Sequence, residues 1–372
     1  MNAGHGPPPR ERKITAAEIA DHPDRIDVRS PSEFADDHIP GAINCPVLDD
    51  AERAQIGTMH ARESAFAARA AGAALVARNI AAMLETTFAG KPREWAPLVY
   101  CWRGGKRSSS LTHVLAEVGW RAVQLDGGYR AYRRHVLARL AELPPRFAFN
   151  VVCGLTGSGK SRLLRALAAE GAQVLDLEEL AKHRGSMLGD LPGDPQPSQK
   201  WFESQLWAAL EALDPQRPVY VESESRRIGV VQLPDALLDA MRAGSCILVE
   251  TPTPLRVALL KEEYAHFLGD ADLLNARLAG LLELHGRKTL DQWSEAAGAG
   301  DWDALVGDLL VRHYDPMYGR SIGRNFPNVG EAIRRVPTGI DADAFRELAR
   351  EIDTAVRARP PKVGSDTTFA GK

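Results

Sequence analysis

Eight consecutive residues, Gly154-Leu155-Thr156-Gly157-Ser158-Gly159-Lys160-Ser161, constrain this chain more than any other feature. They match G-x4-G-K-[ST] in full. A strand-like apolar run, Asn150 to Cys153, stands directly before them and a helical pattern begins near Arg162. Glycines at that spacing let successive backbone N–H groups surround a phosphate, and the helix N-terminus adds its unpaired donors and the positive end of its dipole. Gly154, Gly157, Ser158 and Gly159 are therefore expected to line a phosphate. Lys160 would supply a point charge, and Ser161 would be placed to ligate Mg2+.

What that loop holds is less constrained than that it holds phosphate. A nucleotide-hydrolysing loop of this kind usually works with a second strand ending in Asp. The candidate strand here, Val219-Tyr220-Val221, runs instead into Glu222-Ser223-Glu224. The loop is thus open to a diphosphate other than that of ATP, and no adenine-recognition element is readable.

The chain has 372 residues, and a usual domain size of roughly 100 to 200 residues divides it into two. From Lys13 onward, short apolar runs (IDVRS, PLVYCW, AVQLDGG) alternate with helical patterns, including an Ala-rich stretch Ser64 to Met83 and a helix from Ser108 to Val118. That alternation predicts an α/β domain with a largely parallel sheet over residues 13–138. Two prolines in AELPPRF, residues 141 to 147, mark the boundary. A second α/β series follows over 147–356 (FNVVCG, AQVLDLEEL, PVYVES, CILVETP), with a helical C-terminal region rich in Leu and Ala. The ends, residues 1–12 and 357–372, carry Pro, Gly and Ser and are expected to lack fixed structure.

The first series delivers Cys101 from the run Pro97-Leu98-Val99-Tyr100 into Trp102-Arg103-Gly104-Gly105-Lys106-Arg107-Ser108, after which a helix begins. Loop amides, a helix N-terminus and three cations all favour a thiolate, a persulfide or a bound oxyanion at that sulfur. Cys153 and Cys246 lie within apolar runs and read as core, Cys45 as structural. Four cysteines without any CxxC pair argue against a zinc site and a disulfide framework. Asp27-Val28-Arg29-Ser30, the HIPGA run at His38 to Ala42, the Cys101 loop and Asp126-Gly127-Gly128-Tyr129 together resemble the landmarks of a rhodanese domain. The resemblance implies that Cys101 carries a chalcogen atom, while Asp27, Arg29 and His38 organise the fold. The spacing Cys101 to Arg107 is also that of a C-x5-R phosphatase loop, so a sulfurtransferase or phosphatase with an accessory nucleotide-binding P-loop domain is the alternative.

A rhodanese-like α/β domain followed by a P-loop NTPase-like α/β domain resembles the tRNA 2-selenouridine synthases. Further runs agree with that family: Asp50-Ala51-Glu52-Arg53 with Ile56-Gly57-Thr58, Asp176-Leu177-Glu178 with His183-Arg184-Gly185-Ser186, Glu224 to Gly229, and Tyr314-Asp315-Pro316. Met59-His60 departs from it, standing where an aromatic residue is expected. The resemblance implies a transferase that replaces sulfur by selenium at C2 of a wobble 2-thiouridine in tRNA. It would use selenophosphate and pass through an S-geranylated intermediate made from geranyl diphosphate. Cys101 would then handle selenium, with Arg103, Lys106, Arg107 and the loop amides around Trp102, Gly104 and Gly105 holding the anion. The loop Gly154 to Ser161 would hold the geranyl donor's diphosphate, with Mg2+ compatible and no tightly bound cofactor.

A net charge of -3 and a pI near 6.4 give no global footprint for nucleic acid, which leaves a local basic patch. The candidates for tRNA are Arg130, Arg133 and Arg134 near the boundary, Arg226 and Arg227 after the third strand of the second series, and Arg320 and Arg324. Trp102 suits either base stacking or packing. An enzyme that produces selenophosphate is the protein partner this reading would call for. No apolar run approaches the roughly 20 residues of a membrane span, and no secretory signal is visible, so the expected location is the cytoplasm.

Overall fold

The computed structural model describes residues 12–359, apart from the side chains of residues 320 and 321. The terminal stretches 1–12 and 357–372 fall outside these residues except where Arg12 opens a strand and where Arg357 closes the last helix, Ala342–Arg357, with Ala358 and Arg359 following it in a turn. The described chain forms two compact units, each built on a five-stranded parallel sheet. No helix among the described residues is long and apolar enough to cross a membrane.

The sheet of the first unit uses β1 (Arg12–Ile14), β2 (Arg25–Asp27), β3 (Ala42–Asn44), β4 (Leu98–Tyr100) and β5 (Val123–Leu125) in the order β1-β5-β4-β2-β3. β4 is central and completely buried. That is why Leu98-Val99-Tyr100 reads as an unbroken apolar run: helices cover a parallel sheet on both faces. Its C-terminal end delivers the cysteine loop, and the next helix starts at Lys106, inside the loop and two residues earlier than the sequence pattern suggests. The Ala-rich stretch forms the helix Ala65–Glu85.

One segment of this unit departs from the sequence reading. Residues 197–208, numbered within the second series, belong to the first unit. The helix Gln199–Glu211 brings Trp201 onto His38, whose ring stacks between Trp201 and Phe34 at 4.0 and 3.8 Å. Ser204 donates to the wholly buried Asp37 at 2.7 Å, and Tyr129 donates to the same carboxylate at 2.7 Å. Sequence periodicity carries no sign of this return, because it records which face of a helix is apolar and not which sheet that face covers.

The second sheet comprises β6 (Phe149–Cys153), β7 (Gln173–Leu175), β8 (Val219–Glu222), β11 (Ser245–Val249) and β12 (Ile333–Arg335), ordered β12-β11-β6-β8-β7. A short antiparallel ribbon of β9 (Arg227–Ile228) and β10 (Val231–Gln232) follows β8. The buried side chains of β6 and β8 make the centre of the sheet, and the helix Lys160–Ala169 packs on it together with the C-terminal helix Ala342–Arg357. The Leu-rich C-terminal helices enclose a separate core that contains Leu260, Phe267, Leu305, Leu309 and Trp293. In such open sheets ligands bind beyond the carboxyl ends of the strands, where the glycine loop after β6 stands.

Candidate active sites

Cys101 follows β4 and is 3% exposed. Its sulfur receives the Gly105 N–H at 3.3 Å and the Ser108 hydroxyl at 3.1 Å. Ser108 is itself held by Gln124, whose amide donates to the serine Oγ at 2.7 Å from the neighbouring strand β5. Two donors aimed at one sulfur stabilise it as an anion or as the inner atom of a persulfide. The loop closes tightly behind the sulfur: Gly128 has φ +57°, and a Cβ there would lie 2.2 Å from the Cys101 carbonyl oxygen. No other residue fits that approach.

The predicted cations divide. Arg103 and Lys106 are exposed at the loop, whereas Arg107 is bound to Glu33 at 3.0 Å. Burial pushes the Glu33 carboxyl up, but the hydrogen bond and charge of Arg107 outweigh it and hold the group below the usual range. Trp102 stacks on Tyr129 at 5.2 Å, and Tyr129 lies under the guanidinium of Arg29 at 3.9 Å. Arg29 forks onto Asp27 within the interior, so these two residues build the frame of the site, as expected. The other cysteines, Cys45, Cys153 and Cys246, are buried. Burial, then Asp27, raises the Cys45 thiol to about 11.

In the second unit the loop Gly154 to Ser161 turns between β6 and the helix Lys160–Ala169. Gly157 and Gly159 take φ +75° and +81°, and Cβ atoms there would strike Leu260 at 2.8 Å and Phe345 at 2.4 Å. Gly159 caps the helix that begins at Lys160, and the lysine ammonium reaches back to the Gly154 carbonyl at 3.3 Å. Ser161 donates to Glu178 at 2.7 Å, and the Glu178 N–H donates to Glu222 at 2.6 Å. The remaining oxygen of Glu222, a residue 1% exposed, is buried without a partner.

Around this loop lies a cavity of about 820 Å3 whose wall includes Lys160, Arg184, Glu178, Glu224 and Tyr264. Burial raises the carboxyl of Glu178; burial first, and then repulsion from Asp176, Glu178 and Glu224, raises that of Glu222; burial and then Glu178 bring Glu224 to about 8. Desolvation likewise brings Asp176 to about 6. Lys160 opposes the shift at Glu178 and Glu224, so the cavity pairs a fixed cation with carboxyls that resist ionisation. Opposing charges of this kind mark functional sites more often than ordinary surface.

Both halves match known families. Residues 13–135 match the rhodanese-like domain, and residues 147–277 match the AAA domain of tRNA 2-selenouridine synthase. A tRNA 2-selenouridine synthase of Aeromonas salmonicida is 33% identical over 332 residues, covering 80% of this chain and 87% of that protein. The chain belongs to the tRNA 2-selenouridine synthase family. Its relative in Salmonella newport is 34% identical over 84% of this chain and 92% of its own length. That of Nitrosomonas europaea is 37% identical over 68% of this chain and 66% of its own length.

The family runs noted in the sequence have definite places in this fold. Asp315, of the Tyr-Asp-Pro run, binds Arg256 at 3.0 and 2.5 Å, and Arg256 donates to the Thr156 carbonyl of the phosphate loop at 2.8 Å. Arg184, of the His-Arg-Gly-Ser run, lies over the Tyr264 ring at 4.8 Å with its Nη1 buried and unpartnered. Sequence reasoning assigned roles to neither Arg184 nor Arg256. The first carried a signal in its run; the second sits unmarked in the helix Thr253–Glu263.

The candidate tRNA cations also separate. Arg130, Arg134, Arg226, Arg227 and Arg324 are exposed, although Arg226 pairs with Asp235 at 2.6 Å. Arg133 is engaged internally with Glu203 and with Asp37 at 3.6 Å. The side chain of Arg320 lies outside the described residues.

Proposed function

We propose that this chain replaces sulfur by selenium at C2 of the wobble 2-thiouridine of tRNA, in two steps served by its two sites. In the first, the thiocarbonyl sulfur attacks the allylic carbon of geranyl diphosphate. A C–S bond forms, the C–O bond to the diphosphate breaks, and the N3 proton of the base is released. In the second, a selenium nucleophile derived from selenophosphate adds at C2 and the geranylthiolate leaves. Alkylation converts a poor leaving group into a good one, which is why the sequence of steps is chemically economical.

The observation that supports this reading best is the pairing of a cysteine under two hydrogen-bond donors with a complete phosphate loop in a chain of this family. Cys101, its sulfur held by the Gly105 amide and the Ser108 hydroxyl, would help deliver the selenium of selenophosphate, which is already at the selenide level and adds at C2 while water takes up the phosphoryl group as the P–Se bond breaks. Lys160 and the loop amides would hold the diphosphate and stabilise it as it leaves. The residues present fit Mg2+: Ser161 and Glu178, in contact at 2.7 Å and both on the wall of the cavity, are oxygen ligands, and Mg2+ commonly completes its shell from phosphate oxygens and water. When bound, the ion would neutralise charge on the departing diphosphate.

The exposed arginines would carry the tRNA, and a selenophosphate-producing enzyme would supply the donor. Mass spectrometry of wobble nucleosides from cells with and without this chain tests the reading. Appearance of 2-selenouridine only with the chain is the expected result, and its absence in selenium-replete cells would refute it.

A further inference from the structure

Leu260 stands between two cavities of the second unit. One is the phosphate-loop cavity, and the other, of about 60 Å3, is walled by Phe267, Leu274, Trp302, Leu305, Leu309 and Tyr314. Thr156, Leu260 and Tyr264 line both. The ammonium of Lys261, on the smaller cavity's wall, is turned to Asp303 at 2.8 Å, which leaves its methylene stem to the interior.

Two features of the smaller cavity point to a ligand. The backbone that forms one side, Leu310–Tyr314, is π-helical, an irregularity that recurs at functional sites and widens the turn. The Thr156 hydroxyl oxygen, at the junction with the phosphate loop, is buried without a partner. Well-packed cores do not leave such room, and water needs two or more polar partners to occupy it. Hydrocarbon does not.

We propose that the smaller cavity receives the end of the hydrocarbon tail of a prenyl diphosphate whose diphosphate lies in the loop Gly154 to Ser161. This rests on the reading above for the identity of the head group's chemistry. A nucleotide in the same place would put a hydrogen-bonding base against leucines and a tryptophan. An enclosed cavity that takes benzene measures roughly 150 Å3, so only terminal carbons enter here, and the rest of the chain crosses the larger cavity past Leu260. The small cavity therefore sets the tail length.

Calorimetric titration of the full chain with inorganic pyrophosphate, geranyl diphosphate and farnesyl diphosphate tests this. Each methylene removed from water raises affinity about fourfold, so geranyl diphosphate should bind at least tenfold more tightly than pyrophosphate. Leu309→Trp, which fills the cavity, should abolish that advantage while pyrophosphate affinity, which also reports an intact fold, stays within about twofold. Trp302→Ala, which enlarges it, should shift preference toward the fifteen-carbon tail about tenfold. Equal binding of geranyl diphosphate and pyrophosphate by the unmodified protein would overturn the proposal. So would an unchanged length preference in Trp302→Ala, whatever the fate of Leu309→Trp. The tail preference and its loss on filling, without any geranylated nucleoside on thiolated tRNA, would uphold the cavity and refute the transfer reaction. Geranylation undiminished in Leu309→Trp with unaltered affinity would do the reverse.

Discussion

Asp315 grips both terminal nitrogens of Arg256, and the Arg256 Nε in turn fastens the carbonyl of Thr156 in the phosphate loop. The guanidinium is 3% exposed, and that carboxylate is its counter-charge. Removing one member of a buried pair costs roughly 3 to 5 kcal/mol, because the other is left uncompensated. Asp315→Ala should therefore lower unfolding stability by about 3 kcal/mol, read by denaturant titration, and weaken pyrophosphate binding with it. A variant of unchanged stability would show that the fork is not essential.

Lys160→Ala should weaken the diphosphate substrate by roughly tenfold to a hundredfold, since a hydrogen bond to a charged group contributes about 1.5 to 3 kcal/mol. Prenylation should fall accordingly. Selenation of a tRNA supplied already geranylated should survive. Loss of both activities in a folded variant that still binds tRNA would mean that the phosphate loop serves selenation directly.

Cys101→Ala should abolish selenium incorporation and leave prenyl transfer largely intact. Ser108→Ala removes one of the two donors on the sulfur and should slow selenation without eliminating it. Nucleoside mass spectrometry distinguishes the geranylated from the selenated product, and equal loss of both in either folded variant would contradict the division of labour.

Glu224 sets a pH dependence of stability. Its carboxyl is raised by burial, then by Glu178, to about 8, against 4.5 for the unexposed-to-neighbours value of the unfolded chain. The folded state therefore binds the additional proton between these limits, so its contribution is complete below about 4.5 and is lost as pH rises through about 8. Melting temperatures measured across that window should decline, and Glu224→Gln should flatten the decline. An equal slope in both proteins would place the titration elsewhere.

Binding to tRNA should weaken steeply with salt through counterion release. Arg134→Ala, at an exposed cation, should reduce the logarithmic salt slope by about one. Arg133→Ala should instead lower stability, because its guanidinium serves Asp37 and Glu203. A salt-insensitive complex would remove the basic-patch reading.

Local order in the chain was the part that could be read from the residues. Both loops announce themselves because each needs glycine at fixed places between a strand and a helix, and the buried strands β4, β6 and β8 need unbroken apolar runs. The ion pairs were hidden. Nothing in the string of residues tells that Arg107 turns to Glu33, 74 positions away, or that Arg256 reaches Asp315 across 59. The C-terminal cavity was hidden for a related reason. Leucines that line a void and leucines that fill a core have the same periodicity, and only the packing separates them.

The return of residues 197–208 to the first unit has a consequence for how the protein is made. Synthesis proceeds at roughly 5 to 20 residues per second and domains tend to fold as they emerge, yet here the leading domain must wait. Until Ser204 has left the ribosome, Asp37 lacks one of its donors and His38 one of its stacking partners. A nascent chain stalled just past the proline boundary would present those groups uncovered, a natural foothold for a chaperone and a poor place to cut the gene in two.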